Sequence, residues 1–167
     1  MRIWNVPVEL MCDKHLRGEH VETHMFVGSI TKGKSLSGFI EDGLFDGSIL
    51  RERHDVLAAE MLRRGGKHES PLPEFEVPAQ DTSHIDVHAN IMELARRCPD
   101  CYDRIKSAGY DLPFPRGGDK VFEHEGRWWV QLTGQWLTGE SYVKREKALA
   151  ALEKMRRNMT LQRQGRL

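Results

Sequence analysis

Residues 48–66 read SILRERHDVLAAEMLRRGG, and their spacing sets the fold class. Ile49, Leu50, Val56, Leu57, Met61 and Leu62 recur at helical intervals, which predicts a helix over Ser48–Arg64. Ser48 is placed to accept from backbone donors at its start, and Gly65-Gly66 follow Arg63-Arg64 at its end. Upstream, Pro7 to about Val27 carries Leu10, Leu16, Val21, Met25 and Phe26 on a looser helical stripe, with Pro7 suited to a first turn. Between the two, Thr31–Gly47 holds glycines at 33, 38, 43 and 47 without a sustained period and reads as a loop.

Downstream, Glu69–Ser83 contains Pro71, Pro73 and Pro78 and reads as an extended connector over the surface. Helix is expected again at Ile85–Arg97, with Val87, Ile91, Leu94 and Ala95 on one side. A short turn then resumes at Asp100–Ser107, after Cys98-Pro99. Residues 111–119, DLPFPRGGD, make a linker-like break. Val121–His124 and Arg127–Leu132 then alternate as strands around a tight turn at Glu125-Gly126. Gln135–Val143 supplies a third strand and Glu146–Asn158 a helix striped by Ala148, Leu149, Leu152 and Met155. The expected organisation is mainly α: a compact helical domain over 1–110 (with the connector 69–83 inside it), a linker at 111–118, a small β-β-β-α module over 119–158 and a basic tail at 159–167.

The chain of 167 residues balances 25 Lys+Arg against 25 Asp+Glu, which excludes a histone-like basic protein and an acidic solvating tail. The balance is uneven along the chain. Residues 1–68 are neutral, 69–115 carry −5 and 116–167 carry +5. A neutral chain with one basic end can still present a nucleic-acid footprint, although a solvated amphipathic helix accounts for the same charges. No apolar run approaches the roughly 18–20 residues that span a bilayer, and MRIWNVPVELMCDKH lacks the apolar core of a secretory signal. Three cysteines fit a reducing compartment better than a disulfide scaffold, so a cytoplasmic, membrane-free protein is expected.

Functional side chains are densest in the first helix. His15, Glu19 and Glu22 lie at helical spacings, as do His20 and His24, four apart. A carboxylate beside an imidazole suits general acid/base chemistry, and the His20/His24 pair can grip a metal from one helical face. An exposed polar face with ordinary pairing accounts for the same residues.

The stretch RIWNVPVELMCDKHLRGEHVETHMFVGS resembles the phage-type endonuclease V family, the pyrimidine-dimer DNA glycosylases. FDGSILRERHDVLAAEMLRRGGKH (45–68) resembles the next block of that family, and RRCPDCY (96–102) is a weaker echo, so the resemblance covers about residues 1–105. It implies a helical enzyme of bacterial or phage-infected cells, acting as a monomer on lesion-containing double-stranded DNA. The α-amine at the N-terminus attacks C1′ of the damaged nucleotide, expels the base and leaves an imine. A first-helix Glu assists strand cleavage by β-elimination. An α-amine is less basic than a lysine side chain by about 2.5 units, so it needs no buried pocket to act as a nucleophile.

Carried over position by position, the resemblance makes Met1 the nucleophile and Glu22 the catalytic carboxylate, with Arg2 and His15 contacting DNA around them. Where the family has Thr after its initiator Met, this chain runs Met-Arg-Ile. A family Arg just before the Glu is Val21 here, which leaves lesion preference open. Lys32 and Lys34, flanking Gly33, suit backbone phosphates. Arg51, Arg53, Arg63 and Arg64 are expected to include pairs with Glu52, Asp55 and Glu60. The C-terminal module resembles AP2 and integrase-arm DNA-binding units, with Arg127, Lys144, Trp128, Trp129 and Trp136 at the expected surface, while for at least two of those Trp a place in the core between sheet and helix is the stronger reading.

No cofactor is expected, since imine chemistry uses protein groups alone. The spacing also admits a closed structural zinc site at His84, His88, Cys98 and Cys101. Two other readings stay open: a non-catalytic DNA-binding protein on the same fold, and a metal-dependent nuclease using His15, His20, His24 and Glu22.

Overall fold

The computed structural model describes residues 1–132 and 135–163, with side chains described outside 133–140 and 161–163. It is mainly helical, with one small antiparallel sheet near its C-terminus. Helices α1 (Asp13–Thr31), α2 (Ser37–Glu41), α3 (Leu50–Arg63), α4 (Val87–Arg97) and α5 (Pro99–Ser107) precede strands β1 (Lys120–His124), β2 (Arg127–Leu132) and β3 (Gln135–Tyr142) and helix α6 (Arg145–Arg163). The chain divides into two compact units, Met1–Ile91 and Met92–Leu167.

In the first unit α1 begins later and ends later than its stripe suggests. Val8–Leu10 form a separate 3-10 turn, and Cys12 is extended before Asp13 starts the helix. The cause lies 56 residues away. Arg64 donates to Val8 O at 2.9 Å and to Met11 O at 2.8 Å, carbonyls that a continuous helix would use internally. The expected loop at 31–47 contains the short α2, whose Phe39 and Ile40 pack against the core. Ser48 is not the acceptor at the start of α3. Asp46 Oδ1 accepts from Ser48 N at 2.9 Å and Ser48 Oγ at 2.7 Å, because Asp46 is the N-cap of the 3-10 turn Gly47–Ile49 that leads into the helix. Gly65 ends α3 with φ +81°, the left-handed geometry that favours glycine there.

The connector 69–83 contains no helix or strand, but it is more than a surface strap. Its Leu72, with Ile85 just beyond it, joins Ile3, Phe26, Val27, Leu36, Phe45 and Leu50 in one buried cluster. Gly47 N donates to Asp81 O at 2.9 Å, and a Cβ on Gly47 would stand 2.5 Å from Val77 Cγ1 and 2.6 Å from Asp81 O. Only glycine lets the connector lie that close.

Glu60 on α3 shows how the charged residues of this unit pair. It takes Arg63 Nε at 2.6 Å and Arg64 Nε at 2.7 Å while being largely buried itself. The Arg63 hydrogen bond is the strongest influence on it. Burial opposes and Arg64 assists, leaving the carboxyl at about 2 against an ordinary 4.5. A depressed folded-state value contributes stability above the unfolded value and loses it as pH falls from 4.5 towards 2. Glu60→Gln is therefore expected to lower the melting temperature at neutral pH, by roughly 1–3 kcal/mol of stability, and to flatten the acid limb of unfolding below pH 4.5. An acid limb of unchanged steepness in thermal melts of the variant would contradict this.

The second unit holds the sheet, in order β1-β2-β3, all antiparallel. Glu125 (φ +50°) and Gly126 (φ +71°) make the two-residue turn between β1 and β2 with both positions left-handed, as a type I′ hairpin requires. Val130, Ala148 and Leu152 are its buried centre, and Trp128, Leu132, Tyr142 and Met155 pack around them. The expected helix at 146–158 runs from Arg145 to Arg163, and α5 starts at Pro99, whose ring suits the first turn.

Candidate active site and a histidine cluster

Chain termini usually fray. Here the backbone from residue 2 to residue 6 is tied at every position. Arg2 N donates to Glu22 Oε2 at 3.0 Å and Ile3 N to Leu44 O at 2.7 Å. Trp4 N (2.8 Å) and Asn5 N (3.0 Å) both donate to Glu19 Oε1. Asn5 adopts φ +51°, a conformation Asn tolerates, and so turns two successive N–H groups onto one oxygen. Trp4 O accepts from Asn90 Nδ2 at 2.8 Å, and Val6 O from Arg53 Nη1 at 2.8 Å.

The anchor beneath these bonds is a buried ion pair. Arg53 meets Glu19 through Nε–Oε1 at 3.0 Å and Nη2–Oε2 at 2.7 Å, a two-point contact with both side chains almost fully enclosed. Arg53, one of four arginines of which some were expected to pair with Glu52, Asp55 and Glu60, joins α3 to α1. Arg63 and Arg64 do pair with Glu60, and Arg51 reaches Glu74 at 3.4 Å.

Around the fixed terminus, the Arg2 guanidinium lies 4.5 Å from the Trp4 ring centroid, and His15 meets the same indole edge-on at 6.1 Å. His15 Nδ1 stands 3.3 Å from Cys12 Sγ. Met1 is 41% exposed, so the end of the anchored segment opens to solvent. Met1, Arg2, His15 and Glu22 thus come together in one unit. Trp4, the indole between Arg2 and His15, was not foreseen. It sits in a segment with neither helical nor strand periodicity, and no local signal marks it.

His20 and His24 face away from that group. They join His54 of α3, the ligand nitrogens of all three lying within 4.8 Å of one another. His20 is also 5.0 Å from His68, ring centroid to centroid. Burial, followed by the neighbouring His54, His24 and His68, holds His20 down to about 4, so it is neutral at neutral pH. His24 is lowered mainly by burial, with His54 and His68 adding and a Ser70 backbone hydrogen bond opposing. The set His15, His20, His24 and Glu22 therefore does not converge. The helix that carries all four separates the first and last from the middle two.

Lys32 and Lys34 are exposed beside Gly33, whose φ of +62° closes α1. In the second unit Arg127 hydrogen-bonds Ser141 across β2 and β3, and Lys144 is exposed before α6. Trp128 packs into the core beneath α6 instead of lying on an open surface, because it shares a sheet face with Val130 and Leu132. Half-buried Trp129 donates its indole N–H to His124 O at 3.1 Å, and the Trp136 side chain lies outside the described residues. The zinc set expected from spacing was His84, His88, Cys98 and Cys101. His84 and His88 are exposed while both thiols are buried, and among the described residues neither histidine joins a group of potential ligands.

A family model described as "Pyrimidine dimer DNA glycosylase" matches residues 1–74, which supports the resemblance carried by the two N-terminal sequence blocks. The matched stretch contains Met1, Arg2, His15, Glu19, Glu22 and Arg53. No curated protein and no solved structure matches the chain.

Proposed function

Because residues 1–74 match the pyrimidine dimer DNA glycosylases, we propose that the chain excises damaged pyrimidines through an N-terminal imine and then cleaves the strand as an AP lyase. The observation that carries this reading is the unbroken series of ties on residues 2–6, which holds the terminal residue beside Glu22. A nucleophile at a chain end gains most from such fixing, since rotational freedom given up on folding is not lost again at the reaction.

The Met1 α-amine attacks C1′ of the lesion's deoxyribose, and the C1′–N bond to the base breaks with the electron pair leaving on the base. The sugar ring then opens at C1′–O4′, the amine giving up its proton to O4′, and the imine results. Glu22 then takes the C2′ proton, and the 3′-phosphate leaves by β-elimination. Arg2, held against Trp4, and His15 contact DNA at the rim, while Lys32, Lys34, Arg127 and Lys144 meet phosphates. Turning the damaged nucleotide out of the stack costs a few kcal/mol, least where pairing is already weakened. The substrate is lesion-containing double-stranded DNA, and the acting species is a monomer without a cofactor at the imine.

The test is borohydride trapping on an abasic duplex in the presence of chelator, followed by peptide mapping. The expected product is one protein–DNA adduct at Met1, with strand cleavage in unreduced samples. An adduct on a lysine removes Met1 from the mechanism. Binding without any adduct or cleavage makes the protein a non-catalytic DNA binder, and cleavage that stops in chelator restores the metal-dependent nuclease.

A further inference from the structure

Four imidazoles from three separate segments meet on the side of α1 turned away from Glu22. His20 and His24 come from α1, His54 from α3, and His68 from the segment between α3 and the connector. Ring centroids lie 4.8–5.1 Å apart for His20–His24, His20–His54, His20–His68, His24–His54 and His54–His68. His20 is 5% exposed. The Nε2 atoms of His20 and His24 are buried with no hydrogen-bond partner among the described residues. Enclosed polar atoms without partners are costly, so two of them side by side need an explanation.

We propose that His20, His24, His54 and His68 bind one divalent transition-metal ion of the zinc class, which staples α1, α3 and the segment leading into the connector together. The spacing suits it. His54 Nε2 and His68 Nε2 are 3.4 Å apart, and a tetrahedron of Zn–N bonds of about 2.0–2.1 Å has edges of about 3.3–3.4 Å. Among His20, His24 and His54 the ligand nitrogens need to close by at most about 1.5 Å, well within side-chain rotation.

The surroundings fit as well. Asp55 Oδ1 stands 2.9 Å from His54 Nδ1, so it can accept that N–H and leave Nε2 for the metal, the outer-shell arrangement common at histidine sites. Ser70 O is 3.2 Å from His54 Nε2. An ion thus competes with a hydrogen bond at His54 but with none at Nε2 of His20 or His24. Four neutral nitrogen donors without an oxygen donor favour zinc, cobalt or nickel over magnesium or calcium. With all four positions filled by protein, the site is structural and leaves no open place for a water nucleophile. It is also independent of the imine chemistry.

The experiment uses the full-length protein, dialysed against Zn2+ or Co2+ and then against metal-free buffer. Expected results are one ion per chain by elemental analysis, the visible spectrum of tetrahedral nitrogen-ligated Co2+, and a melting temperature raised by about 5 °C at a hundredfold excess over the dissociation constant. Asp55→Asn, on an exposed position, is expected to weaken Co2+ binding about 10–100-fold. His68→Ala, outside every helix and strand, is expected to weaken it at least as much while circular dichroism stays native. A natively folded protein that takes up no ion overturns the proposal. So does a Co2+ spectrum unchanged in affinity and shape in both His54→Ala and His68→Ala, or one carrying thiolate charge-transfer bands. Cleavage of abasic DNA that persists in chelator leaves the proposal standing, since the metal has no part in that step.

Discussion

Glu22→Gln is expected to lower strand cleavage at abasic sites by about 10²–10⁴-fold, the usual contribution of a positioned general base, while duplex affinity changes less than about threefold. The substitution separates charge from geometry. Glu22 Oε2 accepts the Arg2 N–H at 3.0 Å, and the amide oxygen of Gln accepts the same bond. The terminus therefore stays in place, and the melting temperature should move by no more than about 2 °C. What disappears is the negative charge beside the developing cation at the sugar and the ability to take a proton. Both losses act on the transition state more than on bound DNA, so kcat falls and KM stays nearly constant. Borohydride trapping should persist with slower kinetics, because the amine still attacks. Undiminished single-turnover cleavage by the variant would remove Glu22 from the chemistry. A matching collapse in DNA affinity would make it a binding residue instead.

Sequence periodicity carries some of this molecule and not the rest, and the division follows distance along the chain. Helix α3 and the β1–β2 hairpin rest on local signals, namely apolar spacing and the Gly65 and Glu125-Gly126 geometries, and they form close to where those signals place them. The start of α1 does not, because Arg64 claims two of its expected carbonyls from 56 and 53 residues away. Glu19 and Glu22 look alike in the sequence, three residues apart on one helix. Only the fold gives one to the buried Arg53 and the other to the terminal backbone. His20 and His24 are legible as a pair because four residues make one helical turn. Their completion by His54 and His68 depends on how α3 and the connector return to α1. His84 and His88 are four apart like His20 and His24, and both are exposed, so spacing alone does not tell a buried pair from a surface one.

The largest expected loss of stability comes from Arg53. Arg53→Ala leaves the Glu19 carboxylate enclosed, with only Trp4 N and Asn5 N to satisfy it, and removes the donor to Val6 O. Breaking a buried pair from one side costs about 3–5 kcal/mol, which for a chain of this size lowers the melting temperature by roughly 10 °C or more. The double variant Glu19→Leu/Arg53→Met separates two reasons for that loss. It leaves no uncompensated charge, and apolar side chains of similar volume can replace a buried ion pair without net cost. Most of the melting temperature should therefore return. The N–H groups of Trp4 and Asn5 and the carbonyl of Val6 nevertheless lose their partners, so the segment carrying the nucleophile is released where two of its ties converge. Cleavage in the double variant is accordingly expected to stay at least about tenfold below the parent even where the fold is restored, since small misplacements of reacting groups are costly in rate. Thermal unfolding and single-turnover cleavage on the same preparations decide the matter. Activity that returns in step with stability would mean that Glu19 and Arg53 serve the fold alone. Stability without activity would assign their contact to the positioning of the N-terminus.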